Sequence, residues 1–440
     1  MRAGRRVALV ACYPLRDAAM PPQFISNHGM RMVEASLLNA GLDELELQVW
    51  DLKHKSVESL VGELLAFDPD VVGFSSYLWS FPFFVEVARR VKEADPGRLM
   101  VFGGPSARPS MLSLEPFAPA KEWIDALAIN EGENTFVAIV EMRDRSRAAL
   151  TEIAGLALPA NEGWEETPPR ALAVLNDLPS PYQMGLVPPG GIGVLQTYRG
   201  CPFTCSFCEW GTLESPKRAW EIESLCLEFD ALARNEVSGT LLVDAGLNLN
   251  SHAFKNLRQA SDETGFYRDR YIICEIYPAK VTEQHIDFLS SVGRPLVGMG
   301  LQSFDHDVLD HVERHYDEAR FERTLEEITS VATVALEIIL GLPGDSPENF
   351  RRTFHRARDL PCALRVYHCC VLPSALMVRA PENYVLDYDP VTLKMRSCLG
   401  WSREDLQREI DFVTRQAEVH DGDTGQYFWV FSKPWANYQE

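Results

Sequence analysis

The chain has 440 residues, of which 46% are hydrophobic and 24% charged, a composition typical of a globular protein of two or three domains. The formal net charge of −21 argues against a nucleic-acid-binding surface, and the sequence holds no apolar run of about 18 residues that would span a bilayer. The ten cysteines are too few for a disulfide scaffold at this length. We therefore expect a cytoplasmic protein with metal chemistry and with no membrane or nucleic-acid partner.

The first 150 residues alternate between predicted strands and predicted helices. The run VALVACYP is continuously apolar, as expected for a buried parallel strand, and its short length and terminal Pro14 argue against a signal peptide. Later strands are predicted in LELQVWDL, DVVGFSSY, RLMVFGG and IDALAINEG. Repeated strand–helix units predict a Rossmann-like α/β domain over residues 1–150, with a parallel sheet whose ligands bind beyond the carboxyl ends of its strands.

This predicted sheet does not carry the signature of a nicotinamide-binding domain. The loop after the first strand, CYPLRDAAMPPQ, contains no glycine, so the phosphate-binding G-x-G-x-x-G is absent. Unusual residues instead follow the later strands, where glycines would let a large ligand approach the backbone. These candidate ligand contacts are Ser75, Ser76, Tyr77, Trp79, Gly103, Gly104, Pro105, Glu131 and Gly132. Each segment taken alone is equally consistent with an ordinary turn.

Two composition changes divide the rest of the chain. Residues 151–191 are rich in proline and glycine and are predicted to form a linker. From residue 192 the strand–helix alternation resumes, with strands predicted in GVLQTY, GTLLVDAG, YIICEIYP, LVGMGLQS, ALEIILGLPG and LRVYHCCVLP. Six such units are too few for a closed eight-stranded barrel, so residues 192–375 are predicted to form an open, partial (β/α)6 TIM-type barrel.

Residues 376–440 are predicted to form a small C-terminal piece. Its aromatic residues are Tyr427, Phe428, Trp429, Phe431 and Trp435. They fit either a strand packed on the barrel, which we favour, or a cap over the active site.

The segment YRGCPFTCSFCEWG carries Cys201, Cys205 and Cys208 in C-x3-C-x2-C spacing, without a fourth cysteine. Zinc sites usually use four protein ligands, or three and a water molecule. A [4Fe–4S] cluster held by three cysteines leaves one iron open to a small molecule that chelates through an amino and a carboxylate group. The nearest other cysteine, Cys226, shares a predicted helix face with apolar residues, so a core position is the simpler interpretation.

This loop, placed directly after the first predicted barrel strand, resembles that of the radical S-adenosylmethionine (SAM) enzymes. The resemblance implies that Cys201, Cys205 and Cys208 bind a [4Fe–4S] cluster and that SAM occupies the open iron. Phe207 matches the aromatic position of the family motif. Trp210 and Gly211 become expected neighbours of the cluster or of SAM.

Further family-like segments follow in the expected order along the barrel. The resemblance implies that Glu275 in CEIYP lies near SAM and that Gln302, beside Ser303 in GLQS, contacts the ribose. Gly341 and Pro343 belong to the segment that flanks the adenine, and Leu372 belongs to the sixth-strand segment VLP. The segment VDAG departs from the usual glycine-glycine-acid pattern, which leaves recognition of the SAM amino group there open.

The N-terminal domain resembles that of the cobalamin-binding radical SAM group. The resemblance implies that the candidate contacts of this domain surround the corrin or its nucleotide tail. The D-x-H-x-x-G motif that supplies a histidine ligand to cobalt is absent. The lower face of cobalt is then expected to have no protein ligand and to be covered by Tyr77 or Trp79. Packing of Trp79 at a helix start is an equal alternative.

The resemblance implies a C-methyltransferase acting on an unactivated carbon of a small-molecule or peptide intermediate, through a 5′-deoxyadenosyl radical and methylcobalamin. An external electron donor such as flavodoxin or ferredoxin would be its partner. A non-methylating rearrangement, ring contraction or cyclisation is the main alternative, and a non-enzymatic cobalamin carrier is a weaker one. A methylthiotransferase is disfavoured, because only Cys12 precedes the cysteine loop and a second cluster would need more cysteines.

Overall fold

A computed structural model describes residues 5–14, 26–210 and 218–432. The chain divides into two compact units. The first consists of Met1–Gly191, Arg234–Glu236 and Pro390–Thr392, and the second consists of Ile192–Ala233, Val237–Asp389 and Leu393–Glu440.

The first unit is built on a seven-stranded sheet. Its strands are β1 (Arg6–Pro14), β2 (Glu46–Lys55), β3 (Val71–Ser75), β4 (Leu99–Gly103), β5 (Ala126–Ala128), β6 (Leu156–Pro159) and β7 (Trp164–Glu166). The first five are parallel, in the spatial order β2-β1-β3-β4-β5, with β1 paired to both β2 and β3. The predicted Rossmann-like parallel sheet is therefore confirmed, and its strand order places a switch point between β1 and β3.

Helices connect these strands. They are α1 (His28–Asn39), α2 (Val57–Phe67), α3 (Phe81–Ala94), α4 (Pro109–Leu112), α5 (Glu133–Glu141) and α6 (Arg147–Leu150). Local sequence explains where two of them begin, because the Asn27 side chain caps α1 and the Ser56 side chain caps α2. Strand β1 is buried over Val7–Cys12, as expected for a strand covered on both faces.

Strands β6 and β7 lie in the proline- and glycine-rich region that the sequence predicted as a linker. Strand β6 pairs antiparallel with β5, and β7 pairs antiparallel with β6. The region therefore extends the first sheet before the chain reaches the second unit.

In the part of the second unit that the structure describes there are twelve strands: β8 (Ile192–Leu195), β9 (Tyr198–Arg199), β10 (Arg218–Ala219), β11 (Gly239–Leu242), β12 (Tyr271–Ile276), β13 (Arg294–Gln302), β14 (Thr333–Leu340), β15 (Ala363–His368), β16 (Asp387–Tyr388), β17 (Met395–Ser397), β18 (Asp423–Thr424) and β19 (Phe428–Phe431). The main sheet runs β8-β11-β12-β13-β14-β15 with all six strands parallel. The predicted partial six-stranded barrel is confirmed.

Helices follow most strands of this unit. They are α7 (Ile222–Arg234), α8 (Ser251–Thr264), α9 (Glu283–Ser291), α10 (His306–His311), α11 (Glu318–Thr329), α12 (Pro347–Asp359), α13 (Leu376–Arg379) and α14 (Arg403–Val419). None of the helices in the described ranges is both long enough and apolar enough to cross a membrane.

The aromatic segment near the C-terminus forms β19. This strand pairs antiparallel with β15, and Trp429 and Phe431 are buried while Phe428 is partly exposed. The strand alternative is thus the one observed for residues 428–431, whereas Trp435 lies outside the described residues.

Gly73 in β3 is required by the packing of α5. A Cβ atom at this position would lie 2.6 Å from the Phe136 ring. We expect Gly73→Ala to lower the free energy of unfolding by about 1–3 kcal/mol, since overpacking in a buried contact forces backbone or side-chain shifts. Urea denaturation would measure this loss.

Gly62→Ala is the matched control for that substitution. Gly62 lies inside α2, and a Cβ there meets no atom within 4 Å. Alanine is more stable than glycine inside a helix, so the free energy of unfolding of this variant should rise by about 0.5–1 kcal/mol. Equal stability changes of the same sign in both variants would contradict the packing account.

Candidate active site

The three-cysteine loop leaves the barrel at the carboxyl end of its first strand. Two short strands close its base, because β9 and β10 pair antiparallel and the Trp220 N–H donates to Thr197 O at 2.9 Å. Within the loop, the N–H of Cys208 donates to Cys205 O at 3.0 Å. Cys205 is buried, and Cys201 and Cys208 are half-buried. The fold thus presents all three predicted ligands on one short turn.

The donor set fits a cluster better than a single ion. Burial, with a smaller contribution from the neighbouring Cys205 and Cys201 thiols, raises the pKa of the Cys208 thiol to about 11. Yet no three His, Cys, Asp or Glu side chains in the described ranges could hold one metal ion together. In a four-iron cluster each thiolate binds a different iron, so its ligands need not converge on one point.

The remaining cysteine near the loop in sequence does not extend the set. The Cys226 thiol faces Glu263 Oε2 on α8 at 3.6 Å. Its helix, α7, buries Leu225, Phe229 and Leu232. Cys226 itself is half-buried, at the edge of this apolar face.

An aromatic and cationic stack lies beside the loop. Phe203 stacks on Tyr277 with ring centroids 4.4 Å apart, and the Arg314 guanidinium lies 4.8 Å from the Tyr277 ring centre. Arg314 also donates to Gly300 O and lies 4.0 Å from Cys205 Sγ. A fixed positive charge next to a cluster ligand stabilises negative charge there. Arg314 could not be identified from sequence, because nothing in the run ERHY distinguishes it from a surface arginine.

Asp244 anchors the base of the cysteine loop. Its buried carboxylate accepts hydrogen bonds from the N–H and hydroxyl of Thr197 and from the N–H of Tyr198 at 3.2 Å. The Tyr198 hydroxyl donates to Gly246 O at 2.7 Å. Burial raises the pKa of Asp244 to about 7, although these hydrogen bonds lower it. The acid in VDAG therefore holds the strand end that precedes the cysteines, a role the sequence did not indicate.

Glu275 belongs to a half-buried polar network in the barrel. Glu337 on β14 accepts from Arg365 at 3.2 Å and from the Tyr367 hydroxyl at 3.0 Å. Burial raises the pKa of Glu275 above its ordinary range, and the neighbouring Glu337 carboxyl raises it further. The Glu275 carboxyl lies over Gly298, where a Cβ would come within 2.2 Å of both of its oxygens. Only Glu275 of this network was identified from sequence.

Gln302 adopts a conformation that is uncommon for a side-chain-bearing residue. Its φ is +78°, and the pairing of β13 with β14 is irregular between Gly300 and Gln302. Strained backbone at a bulge often marks a functional position. The next hydroxyl, that of Ser303, instead accepts the Asp305 N–H at 3.1 Å, at the start of α10. The structure thus gives Gln302 and Ser303 different surroundings.

The predicted adenine-flanking segment is fixed by the C-terminal piece. Gly341 has a φ of +92°, and its carbonyl faces the Cys398 thiol at 3.6 Å. The Trp401 indole N–H donates to Leu342 O at 3.0 Å. Pro343 follows directly, and Leu372 lies beyond β15, where its carbonyl accepts the N–H of Ala375 at 3.1 Å.

Aromatic residues flank the other loop positions. Phe207 is half-buried within the cysteine loop, and Trp210 is 38% exposed at its end. Gly211 lies outside the described residues.

In the first unit, the candidate contacts follow β3, β4 and β5. Ser75 ends β3 and donates to Asn27 Oδ1 at 3.3 Å. The Tyr77 and Trp79 rings stack 5.0 Å apart and 9° from parallel, with Trp79 41% exposed. Trp79 precedes α3, and its ring is partly exposed and partly packed on Tyr77.

The turn after β4 is held tightly against Ser76. The Ser76 N–H donates to Gly103 O at 2.7 Å. Gly104 has a φ of +91°, and a Cβ atom at this position would lie only 2.7 Å from Ser76 O. The next residue is Pro105. The Ser76 hydroxyl is fully buried and finds no hydrogen-bond partner among the described residues. Such an unsatisfied group fits a polar ligand at this sheet edge.

Glu131 and Gly132 lie at the start of α5. Glu131 accepts the Ala173 N–H at 2.8 Å, and Gly132 is the residue before the helix. The Glu131 carboxylate therefore has a structural contact with the region after β7.

Comparisons with known proteins agree with this geometry. Residues 195–357 match the radical SAM superfamily, and residues 18–140 match the B12 binding domain. A 2-(S-pantetheinyl)-carbapenam-3-carboxylate methyltransferase of Streptantibioticus cattleyicolor is 29% identical over 342 residues, covering 72% of this chain and 49% of that protein. The cobalamin-dependent radical SAM methyltransferase TokK of Streptomyces tokunonensis is 29% identical over 346 residues, with the same coverages.

The chain spans about half the length of these curated relatives. Among solved structures, the radical SAM methyltransferase TsrM from Kitasatospora setae shares the fold. That comparison has a TM-score of 0.65 and 18% identity, and it covers 85% of this chain and 75% of TsrM.

A parallel, partial six-stranded barrel with a three-cysteine loop after its first strand defines a radical SAM enzyme. With the B12 binding domain that precedes this barrel, the chain belongs to the cobalamin-dependent radical SAM enzymes. Its cofactors are therefore a [4Fe–4S] cluster, SAM and cobalamin. The three loop thiols and the unsatisfied Ser76 hydroxyl fit the cluster and the cobalamin respectively.

We expect Glu275→Gln to change how stability depends on pH. Because the folded protein raises the pKa of Glu275, its stabilising contribution is present below its ordinary value of 4.5 and is lost as pH rises above it. Glutamine removes this loss, so the variant should gain stability relative to the parent chain between pH 5 and 8, by at most about 1.4 kcal/mol per pH unit. Anaerobic urea denaturation across this range measures the difference.

The exposed Glu326→Gln on α11 is the control for this experiment. This variant measures the pH dependence that a Glu→Gln change on the surface produces. The same pH dependence for Glu275→Gln would show that Glu275 is charged at neutral pH in the folded chain.

Proposed function

We propose that this protein is a C-methyltransferase that acts on an unactivated carbon of a small-molecule or peptide intermediate. The observation that carries the proposal is the joint presence of the three-cysteine barrel loop and a B12 binding domain in one chain. The relatives named above as methyltransferases support methyl transfer over a rearrangement.

When bound, the cluster and SAM supply a carbon-centred radical that removes a hydrogen atom, and cobalamin supplies the methyl group. Cys201, Cys205 and Cys208 would hold three irons, and Arg314 would place its positive charge beside the ligand Cys205. Glu275 and Gln302 would hold SAM by hydrogen bonding, and the backbone of Gly341–Pro343 would flank its adenine. The remaining task of the barrel interior is to orient the substrate and exclude water.

Cobalamin would lie at the carboxyl edge of the first sheet. The turn after β4 packs against the backbone of Ser76 because Gly104 has no side chain, and this packed turn would form the wall of the cobalamin site. Trp79, stacked on Tyr77 and partly exposed, would cover one face of the corrin. With no cobalt-binding histidine motif in the sequence, this contact would be apolar.

The chemistry also calls for an external one-electron donor such as flavodoxin or ferredoxin. The half-buried network of Glu337, Arg365 and Tyr367 adds charged and hydroxyl groups to the barrel, which favours a substrate with polar groups.

Cys205→Ala tests the assignment of the cluster. With CD3-labelled SAM, a reductant and candidate substrates, the parent chain should form 5′-deoxyadenosine and a product heavier by one CD3 group in place of hydrogen. The variant should lose both products because one cluster ligand is gone, and it should retain cobalamin, whose absorbance reports binding.

Two outcomes would contradict parts of this account. SAM cleavage that survives Cys205→Ala would refute the cluster ligand. The second outcome is that the parent chain forms 5′-deoxyadenosine with every tested substrate but never a methylated product. That result would overturn methyl transfer and leave the rearrangement.

Gly104→Ala tests the cobalamin site. A side chain at φ +91° is strained and would press on Ser76 O, so the turn must shift. Backbone strain of this kind costs about 1–3 kcal/mol, and cobalamin should bind about tenfold or more weakly, while the iron content stays unchanged. Absorbance titration with cobalamin measures the affinity.

Gly163→Ala is the matched control. Gly163 also has a positive φ, of 69°, in the turn between β6 and β7, but a Cβ there meets no atom within 4 Å. It should carry similar local strain and retain the parental affinity for cobalamin. Equal weakening by both variants would show that strain in the unit, rather than the turn at Ser76, controls binding.

A further inference from the structure

The segment that follows β15 contacts the cysteine loop at two points. We call residues 374–379 the clasp. At its beginning, the Ser374 N–H donates to Glu209 Oε1 at 3.0 Å, just beyond the third cysteine. At its end, the single-turn helix α13 carries Arg379. The loop and the clasp are more than 160 residues apart in sequence, as the separation of 165 between Glu209 and Ser374 shows.

The Arg379 side chain binds backbone carbonyls of the cysteine loop. Its Nη1 donates to Thr204 O at 3.1 Å, and its Nη2 donates to Cys205 O at 3.0 Å, Ser206 O at 3.4 Å and Cys208 O at 2.5 Å. One guanidinium therefore satisfies four carbonyls of the turn that carries the second and third cysteines. A planar group with several donors in fixed directions sets the shape of such a turn more closely than a single-point contact does.

These contacts also orient the loop dipoles. The four carbonyls direct the negative ends of their dipoles toward Arg379. The other side of the loop has an independent attachment, because the Ser206 N–H donates to Val312 O at 3.1 Å. The turn is thus held from two directions before any cofactor is considered.

The same guanidinium places positive charge against the backbone of two of the three prospective ligands, Cys205 and Cys208. Arg314 lies near Cys205 Sγ, and Arg379 lies against the carbonyl of the same cysteine. One-electron reduction makes a cluster more negative. A nearby positive charge stabilises the reduced form and raises the reduction potential, as do other local charges and hydrogen bonds around Fe–S clusters.

We propose that Arg379 is a positioning residue that pre-forms the cysteine loop for the cluster and raises the cluster's reduction potential. The proposal rests on the proposed placement of the cluster at Cys201, Cys205 and Cys208. It does not depend on which reaction the enzyme catalyses.

Two substitutions of Arg379 separate shape from charge. Arg379→Met removes both, whereas Arg379→Lys keeps the charge and loses the forked set of donors. In the anaerobic holoenzyme, Arg379→Met should lose iron to a chelator about tenfold faster than the parent chain, as expected when charge-assisted hydrogen bonds are lost. Its midpoint potential, from redox titration followed by electron paramagnetic resonance, should be more negative, and the resonance of its reduced cluster should change shape.

Arg379→Lys should lose iron faster than the parent chain, but its midpoint potential should lie closer to the parental value than that of Arg379→Met. Val378→Ala is the control, because Val378 neighbours Arg379 on α13 and is 61% exposed. It should match the parent chain in iron loss, resonance and potential.

Parental iron loss, resonance and potential in a folded Arg379→Met would overturn the proposal. If Arg379→Met cannot be isolated with a cluster, Arg379→Lys decides, and parental behaviour of that variant in all three measurements would overturn the role of the fork. A parent chain that holds the cluster but never methylates would refute the proposed function alone. Absence of a cluster from the reconstituted parent chain would refute the shared placement at the three cysteines.

Discussion

Parallel pairing of the six barrel strands is the constraint on which the chemistry of the second unit depends. Because β8 and β11 to β15 run in one direction, the loops that follow them emerge at the same edge of the sheet. This edge brings together the cysteine loop after β8, Asp244 after β11, Tyr277 after β12 and Gln302 at the end of β13. Hydrogen bonds then fix details that strand pairing leaves open. The Asp244 carboxylate joins the ends of β8 and β11 through Thr197 and Tyr198.

Charged side chains in the barrel lose hydration, and hydrogen bonds among these side chains offset that loss. Glu337 is nearly buried but accepts from Arg365 and Tyr367, and Glu275 beside it is favoured in its protonated form. An isolated carboxylate in the same place would lose several kcal/mol of hydration. Gly298 belongs to this arrangement, since a side chain there would displace the Glu275 carboxyl.

Sequence patterns predicted the strands well because burial on both faces leaves continuous apolar runs, as in Val7–Cys12. The cysteine spacing was equally informative, since its ligands are close together in the chain. Arg314, Arg379 and Glu337 were missed for the opposite reason. The contact of Arg379 with Cys208 spans 171 residues, and nothing local marks that arginine as a loop ligand. The proline-rich composition around residues 156–166 also concealed two strands, because edge strands depend on a partner more than on their own sequence.

The addition of β19 to β15 has a consequence for the order of assembly. Strand β15 is complete at His368, but its outer hydrogen-bonding edge stays open until residues 428–431 have been synthesised and have docked. During that interval the nascent barrel exposes an unpaired strand rich in apolar residues, the kind of edge at which chains associate wrongly. Helix α14, whose Thr414 accepts the Trp429 indole N–H at 3.1 Å, holds the late strand in place once it arrives. The final sheet pairing thus acts as a closing step that ends the period of aggregation risk.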